Sequence, residues 1–290
     1  MFYSSFINHI QYVRNYSLRT IESYSDDLRS FAMYLQGEHI NIEDVTTKTI
    51  YGYMAFLIDK GLKPKSVNQH LSCLRSFFDY RCRFEEAGNN PAAPVKDMRV
   101  GKRLPLFISE EKMNLLIDNF LPSRTYKEAR TRIIILLFYH TGIRCAEMAA
   151  MKDNDICLSR NYIRVIGKGD KERYIPFGNE LHDEIVSYMA IRNKSVRNGS
   201  CFFIRTIQGE QCEHWQIRRV CKIALRRVAP EYMCHPHILR HTFATVLMNH
   251  GARVENVAKL MGHASITTTS IYQHTSVDYL RQSYNLAFNQ

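Results

Sequence analysis

Residues 88–105, GNNPAAPVKDMRVGKRLP, constrain this chain more than any other stretch. Three prolines withhold backbone donors and two glycines loosen the chain, so neither a helix nor a strand is expected to run through it. On both sides apolar residues recur at helical spacing. The 290 residues are therefore expected to form two units, each long enough for a core of its own. The expected division is 1–87, a linker at 88–105, and 106–290.

Charge separates the same two parts. Residues 1–97 hold 11 Lys+Arg against 11 Asp+Glu, whereas 98–290 hold 28 against 17, so the whole net charge of +11 lies in the second part. A basic unit with scattered aromatics suits a polyanion, usually nucleic acid, although ribosomal, membrane-surface or merely solubilising roles leave the same imprint. The linker contributes Lys96, Arg99, Lys102 and Arg103. It reads either as a solvated tether or as a strap along a DNA backbone. No apolar run approaches the length of a membrane span, and the longest, 133–139, reads as buried helix. The first ten residues lack a cationic stretch and a cleavage site, so no secretory signal is evident. Eight cysteines form no C-x-x-C pair, as expected of reduced thiols in a cytoplasmic protein.

The first part reads as four amphipathic helices. Phe2, Phe6, Ile10 and Val13 follow a helical period. Ser17 caps a second helix with the stripe Leu18, Ile21, Tyr24, Leu28, Phe31 and Leu35, stopped by Gly37. A third spans about 47–61, and Ser66 starts a fourth carrying Val67, Leu71, Leu74, Phe77 and Phe78. The expected result is a small bundle, whether a packing module or a DNA-binding one. The second part opens with a helix capped by Ser109, with Glu110 and Glu111 in its first turn. A longer helix follows over 124–139, then the turn TGIR and a short helix at 146–151. At 155–177 the period changes to that of strands: the runs 162–166 and 173–175 flank Gly167-Lys168-Gly169-Asp170, a hairpin signal. A helix at 178–193 and a strand at 202–204 come next. A helix at 215–228 follows, studded with Arg218, Arg219, Lys222, Arg226 and Arg227, candidates for phosphate contacts. The expected fold is mainly α: a four-helix bundle followed by an α+β unit with a small antiparallel sheet.

Chemistry concentrates at 234–274. Pro236 opens a helix that Gly251 closes, a second runs from near Arg253 to Gly262, and Ser265 caps a third that carries Tyr272. His237 and Arg240 share a helical face, while Ile238, Leu239, Val246 and Leu247 turn toward a core. With His263 and Tyr272 they supply an acid/base, a fixed cation, a second imidazole and a phenol, a set suited to work on a phosphodiester. Plainer readings stand beside this one. A lone tyrosine often belongs to a core, a His-x-x-Arg pair to a solvated face, and a loop lysine such as Lys168 to solvent. Arg144, on a turn between two helices, pairs with Glu147 in a merely structural reading. His237 and His241 have the spacing of a zinc helix, but Ile238 stands where such a helix needs Glu, so no metal is expected.

Taken together, TGIRCAEM, GKGDKER, HILRHTFAT, LMGH and TTTSIYQH resemble, in order and spacing, the active site of the tyrosine site-specific recombinases, the phage integrase and Xer family. The resemblance extends to the N-terminal bundle, similar to that family's SAM-like core-binding domain, and to LPLFISEE at the start of the catalytic domain. It implies a C-shaped clamp around duplex DNA at a specific core site and a 3′-phosphotyrosine intermediate. Tyr272 would be the nucleophile, Arg144 and Arg240 the phosphate clamp, and His237 the base. His263 would be a phosphate donor, Lys168 the general acid and Glu147 a support. Because the phosphotyrosine keeps the bond energy, the resemblance implies no cofactor, neither ATP nor metal. It further implies a tetrameric synapse, with the tail at 276–290 (Val277, Leu280, Tyr284, Ala287, Phe288) docked on the next protomer rather than on its own domain. A second recombinase or an accessory protein is a possible further partner, and no membrane is expected. The early start of the bundle favours a Xer-like enzyme or an invertase over one with an arm-binding domain. Two rivals remain: a type IB topoisomerase, which would relax DNA without a specific site, and a non-catalytic DNA-binding regulator, which would never become covalently attached.

Overall fold

A computed structural model describes residues 2–85, 88–101, 106–167, 172–196 and 200–262, together with Tyr284. Its contacts divide the chain into two compact units, Met1–Arg103 and Leu104–Gln290.

The first unit is helical. A short α1 (Ser4–Asn8) passes into a π-turn, His9–Val13, followed by α2 (Leu18–Gly37), α3 (Thr47–Asp59) and α4 (Pro64–Phe84). Its core gathers Phe6, Ile10, Leu28, Phe31, Ile50, Tyr53, Leu71 and Phe77. The wider π-turn breaks the helical phase, so Val13 is exposed and Tyr3 is buried instead. Leu18 also lies outside the expected stripe: it is the first residue of α2 and is exposed. The Ser17 hydroxyl accepts from the Thr20 backbone N–H as a helix cap. The fourth helix begins at Pro64 rather than Ser66, using proline where an N–H would have no partner.

Much of the stretch read as a solvated tether or a strap is docked on this unit. Ala92 and Val95 are buried. Asn68 on α4 donates to the Met98 carbonyl at 2.9 Å and accepts from the Met98 N–H at 2.8 Å. Arg75 donates to the Ala92 and Val95 carbonyls and pairs with Asp97 at 2.8 Å. The proline-rich chain cannot satisfy its own backbone groups, and α4 side chains satisfy them instead.

The second unit is built around α6 (Tyr126–Thr141), which α8 (Asn179–Ser195), α9 (His214–Leu225) and α10 (Pro236–Asn249) cover. Residues 133–141 of α6 are all buried, so its sequence is apolar all round rather than striped. Thr125 and Glu128 form its capping box. Before it lies α5 (Glu110–Phe120), where Ser109 occupies the cap position without a side-chain hydrogen bond. After it come α7 (Cys145–Ala150) and a three-stranded antiparallel sheet in the order β1 (Ile156–Cys157), β2 (Tyr162–Ile166), β3 (Glu172–Pro176). Val165 pairs with Arg173 and Ile163 with Ile175. The expected strand at 202–204 is absent among the described residues; Phe202 makes only an isolated bridge with Lys152. Finally α11 (Val254–Met261) ends at Gly262. All eight cysteines are free, and no helix among the described residues is long and apolar enough to cross a membrane.

Candidate active site

Arg144, Glu147, His237 and Arg240 fall among the described residues; Lys168, His263 and Tyr272 lie outside them, as do Lys102 and Arg103. The turn that holds Arg144 is set by Gly142. This residue caps α6 in the left-handed region with φ +58°, and a Cβ there would collide with the Phe243 ring. Only glycine lets α10 approach so closely. The chain then turns so that Arg144 becomes the cap of α7, its backbone N–H donating to Glu147 Oε2 at 2.8 Å.

Arg144 and Arg240 converge on the end of α11. The buried Arg240 donates through Nη1 to the Gly142 carbonyl and through Nη2 to that of Met261. Arg144 Nη2 donates to the Gly262 carbonyl at 2.6 Å. Carbonyls at a helix C-terminus have no intrahelical partner and carry partial negative charge, so guanidiniums suit them. Gly262, with φ +61°, closes α11 and immediately precedes His263.

A third guanidinium meets the same place. Arg173 on β3 donates through Nη1 and Nη2 to the two Glu147 oxygens, each at 2.8 Å, and through Nε to the Leu260 carbonyl at 3.2 Å. Arg144 Nη1 adds a bond to Glu147 Oε1 at 2.9 Å. Burial pushes the Glu147 pKa up, but the Arg173 fork and then Arg144 outweigh it and hold it at about 2. Arg240 is driven the other way, to about 10, first by burial and then by the neighbouring charges of Arg144 and Arg173.

His237 lies on the surface side of α10 and is exposed. Partial desolvation, then His235, Arg218, His241 and Arg240, keep its pKa below the ordinary imidazole value, so the neutral form prevails near pH 7. An open cleft of about 430 Å³ is lined by His237, His235, Cys234 and Pro236 together with Arg218, Arg219 and Lys222 of α9. Two of the cations expected to meet phosphate are already engaged: Lys222 and Arg226 hold Glu231 at 2.7 and 2.6 Å. Arg227 lies 6.0 Å from the Phe120 ring centre. Lys96 and Arg99, in the first unit, are exposed. From the tail, Tyr284 alone is described. It is buried in its own unit with its hydroxyl 3.4 Å from His140 Nδ1, so at this residue the tail packs in cis.

A mainly helical pair of units, the second basic and bringing two arginines to one helix end, fits a protein that acts on a polyanion such as DNA. The model of the phage integrase family matches residues 107–278, and that of the phage integrase N-terminal SAM-like domain matches residues 4–84. The chain is 35% identical to the tyrosine recombinase XerC of Staphylococcus aureus over 280 residues, covering 97% of this chain and 94% of the relative. Its fold is that of the XerH site-specific recombinase bound to difH (TM-score 0.74, 21% identity, 94% of this chain and 81% of that one). The Tn1549 transposon integrase in complex with transposon right end DNA is similarly close (TM-score 0.73, 18% identity, 95% of each chain). The chain belongs to the phage integrase family, as a site-specific tyrosine recombinase of the Xer type that cleaves and rejoins DNA strands.

Proposed function

We propose that Tyr272 attacks a scissile phosphate of a duplex core site. The Tyr272–phosphorus bond forms, the bond from phosphorus to the 5′-oxygen breaks, and a 3′-phosphotyrosine results. His237 takes the phenol proton, and Lys168 gives one to the departing 5′-oxygen. Arg144, Arg240 and His263 hold the non-bridging oxygens as their charge grows. A 5′-hydroxyl from the partner duplex then reverses these steps and frees Tyr272, so no external energy source enters. The observation that carries this reading is the meeting of Arg144 and Arg240 at the last carbonyls of α11, directly before His263. The proposed division of labour gives core-site binding to 1–87, a basic linker at 88–105 and catalysis to 106–290. Lys96, Arg99, Lys102 and Arg103, with Arg218, Arg219, Lys222, Arg226 and Arg227, are proposed to contact the backbone.

Four strand transfers and one nucleophile per chain call for four protomers on two duplexes. A second recombinase or an accessory protein fits the same scheme, and the cytoplasm is the proposed compartment. Docking of the tail in trans requires Tyr284 to leave the slot beside His140. The deciding experiment uses a nicked suicide substrate. The wild-type chain should become covalently attached to DNA, and Tyr272→Phe should bind equally well with no adduct. An adduct that survives in the variant assigns the nucleophile elsewhere.

A further inference from the structure

Arg173 has no part in the chemistry above, yet it bonds both to Glu147 and to the end of α11. Both terminal nitrogens fork onto Glu147 at 2.8 Å, and Nε holds the Leu260 carbonyl at 3.2 Å. Each of its three nitrogens is thus engaged, and the side chain is only 13% exposed. All of these bonds go to the carboxylate and the helix end that hold Arg144. Arg144 differs: 37% of its side chain is open, although it shares the same carboxylate.

We infer that Arg173 is a positioning residue for the phosphate clamp. It holds Glu147 between two guanidiniums, so that Arg144 is oriented by the carboxylate without being captured by it. Glu147 Oε1 accepts from Arg144 Nη1 and Arg173 Nη1, and Oε2 accepts from the Arg144 backbone and Arg173 Nη2. With Arg173 in place, one carboxylate charge is divided between two cations, and Arg144 keeps donors for a substrate oxygen. Without it, Glu147 would turn its full charge and both oxygens on Arg144, and a bidentate pair of that kind competes directly with a phosphate. The same side chain fixes the helix end from which Arg144 is held. A Cβ on Gly262 would come within 3.1 Å of Arg173 Cδ, and Leu260, Met261 and Gly262 offer successive carbonyls to Arg173, Arg240 and Arg144. Arg173 therefore sets both the carboxylate and the helix terminus that aim Arg144.

The inference rests on the assignment of Arg144 to the phosphate, and its test separates the two. Arg173→Gln and Arg144→Ala are compared in the full chain, on a suicide substrate with an ordinary scissile phosphodiester and on one with a neutral methylphosphonate there. Removing the anionic oxygen removes much of the need for Arg144. Arg173→Gln should bind DNA within about threefold of wild type but cleave the phosphodiester about 100-fold more slowly, the scale of loss set by misplacing a reacting group by an ångström. On the methylphosphonate both variants should recover to within about tenfold of wild type. A general loss of structure cannot be repaired by changing one phosphorus substituent. If Arg144→Ala recovers and Arg173→Gln does not, Arg173 does not act through Arg144 and the inference is wrong. If Arg144→Ala itself fails to recover, the phosphate reading of Arg144 falls and takes the inference with it. Arg173→Lys keeps the charge and much of the reach but loses the fork. It should show a defect of the same kind even if Arg173→Gln folds poorly, and wild-type cleavage by Arg173→Lys overturns the proposal.

Discussion

Gly142 meets two demands that no other residue meets together. Its φ of +58° lies where side chains are strained, and its Cα faces the Phe243 ring. Gly142→Ala should destabilise the second unit by about 2–4 kcal/mol from strain and overpacking combined. Because the Gly142 carbonyl anchors Arg240, cleavage should fall as well. Urea denaturation reads the first effect, and a loss below about 1 kcal/mol would show that the turn simply shifts. His237 yields a pH prediction. Its lowered pKa keeps it neutral, as the proposed base must be, down to a pH below the ordinary imidazole value. The cleavage rate should therefore be flat near pH 7 and drop only in more acidic solution. His237→Gln should cleave more slowly and lose that acidic limb; a limb unchanged in the variant assigns the base to another group. These residues differ in how readily the sequence reveals them. Arg144, Glu147, His237 and Arg240 stand out by type and spacing. Arg173 was missed, although it lies inside GKGDKER. The signal was there: strand alternation puts it on the face of Ile175 and opposite Val165, both buried, and an inward charge on a strand demands a partner.

Among the elements, helix existence was legible wherever chemistry marks an end. Ser17, Pro236, Gly251 and Gly262 each stand at or just beyond the boundary that their type predicts. What escaped were departures from ideal period. The π-turn at His9–Val13 shifts the phase by a fraction of a residue per turn. The two-residue β1 is too short to show alternation. The docked segment after α4 owes its order to side chains of another element. Sequence shows five cations in the stretch expected to be helical to 228, but not that α9 stops at Leu225, leaving Arg226 and Arg227 beyond it, nor that Glu231 restrains Lys222 and Arg226. Glu231→Gln should release Lys222 and Arg226. If this helix meets the DNA backbone, the slope of log affinity against log salt should steepen by about one to two units, since each new phosphate contact releases a counterion. An unchanged slope would remove Lys222 and Arg226 from the interface.

For the whole molecule, acid is the informative stress. Burial lowers the pKa of His140 to about 4, so the folded unit binds its proton less readily than the unfolded chain. Its contribution to stability is complete above the ordinary value near 6.5 and is lost as pH falls from there to about 4, by roughly 3 kcal/mol in all. Glu147 follows in a lower window: its stabilisation is present above the usual carboxylate value and disappears as pH falls toward 2. Unfolding free energies from urea titrations at pH 7 and pH 4.5 should therefore differ by about 2–3 kcal/mol, and His140→Gln should narrow that gap; an equal gap in the variant would place the titrating group elsewhere. The three guanidiniums gathered around one carboxylate have a consequence of another sort. Burial first, and then the charges of Arg144 and Arg173, lower the pKa of Arg240, so the three cations sit close together at a cost that an anion bound among them would offset. An anion entering between them should therefore stabilise the fold as it binds. Melting temperature then becomes a gauge of occupancy: millimolar sulfate should raise it by a few degrees in the wild-type chain and by less in Arg144→Ala.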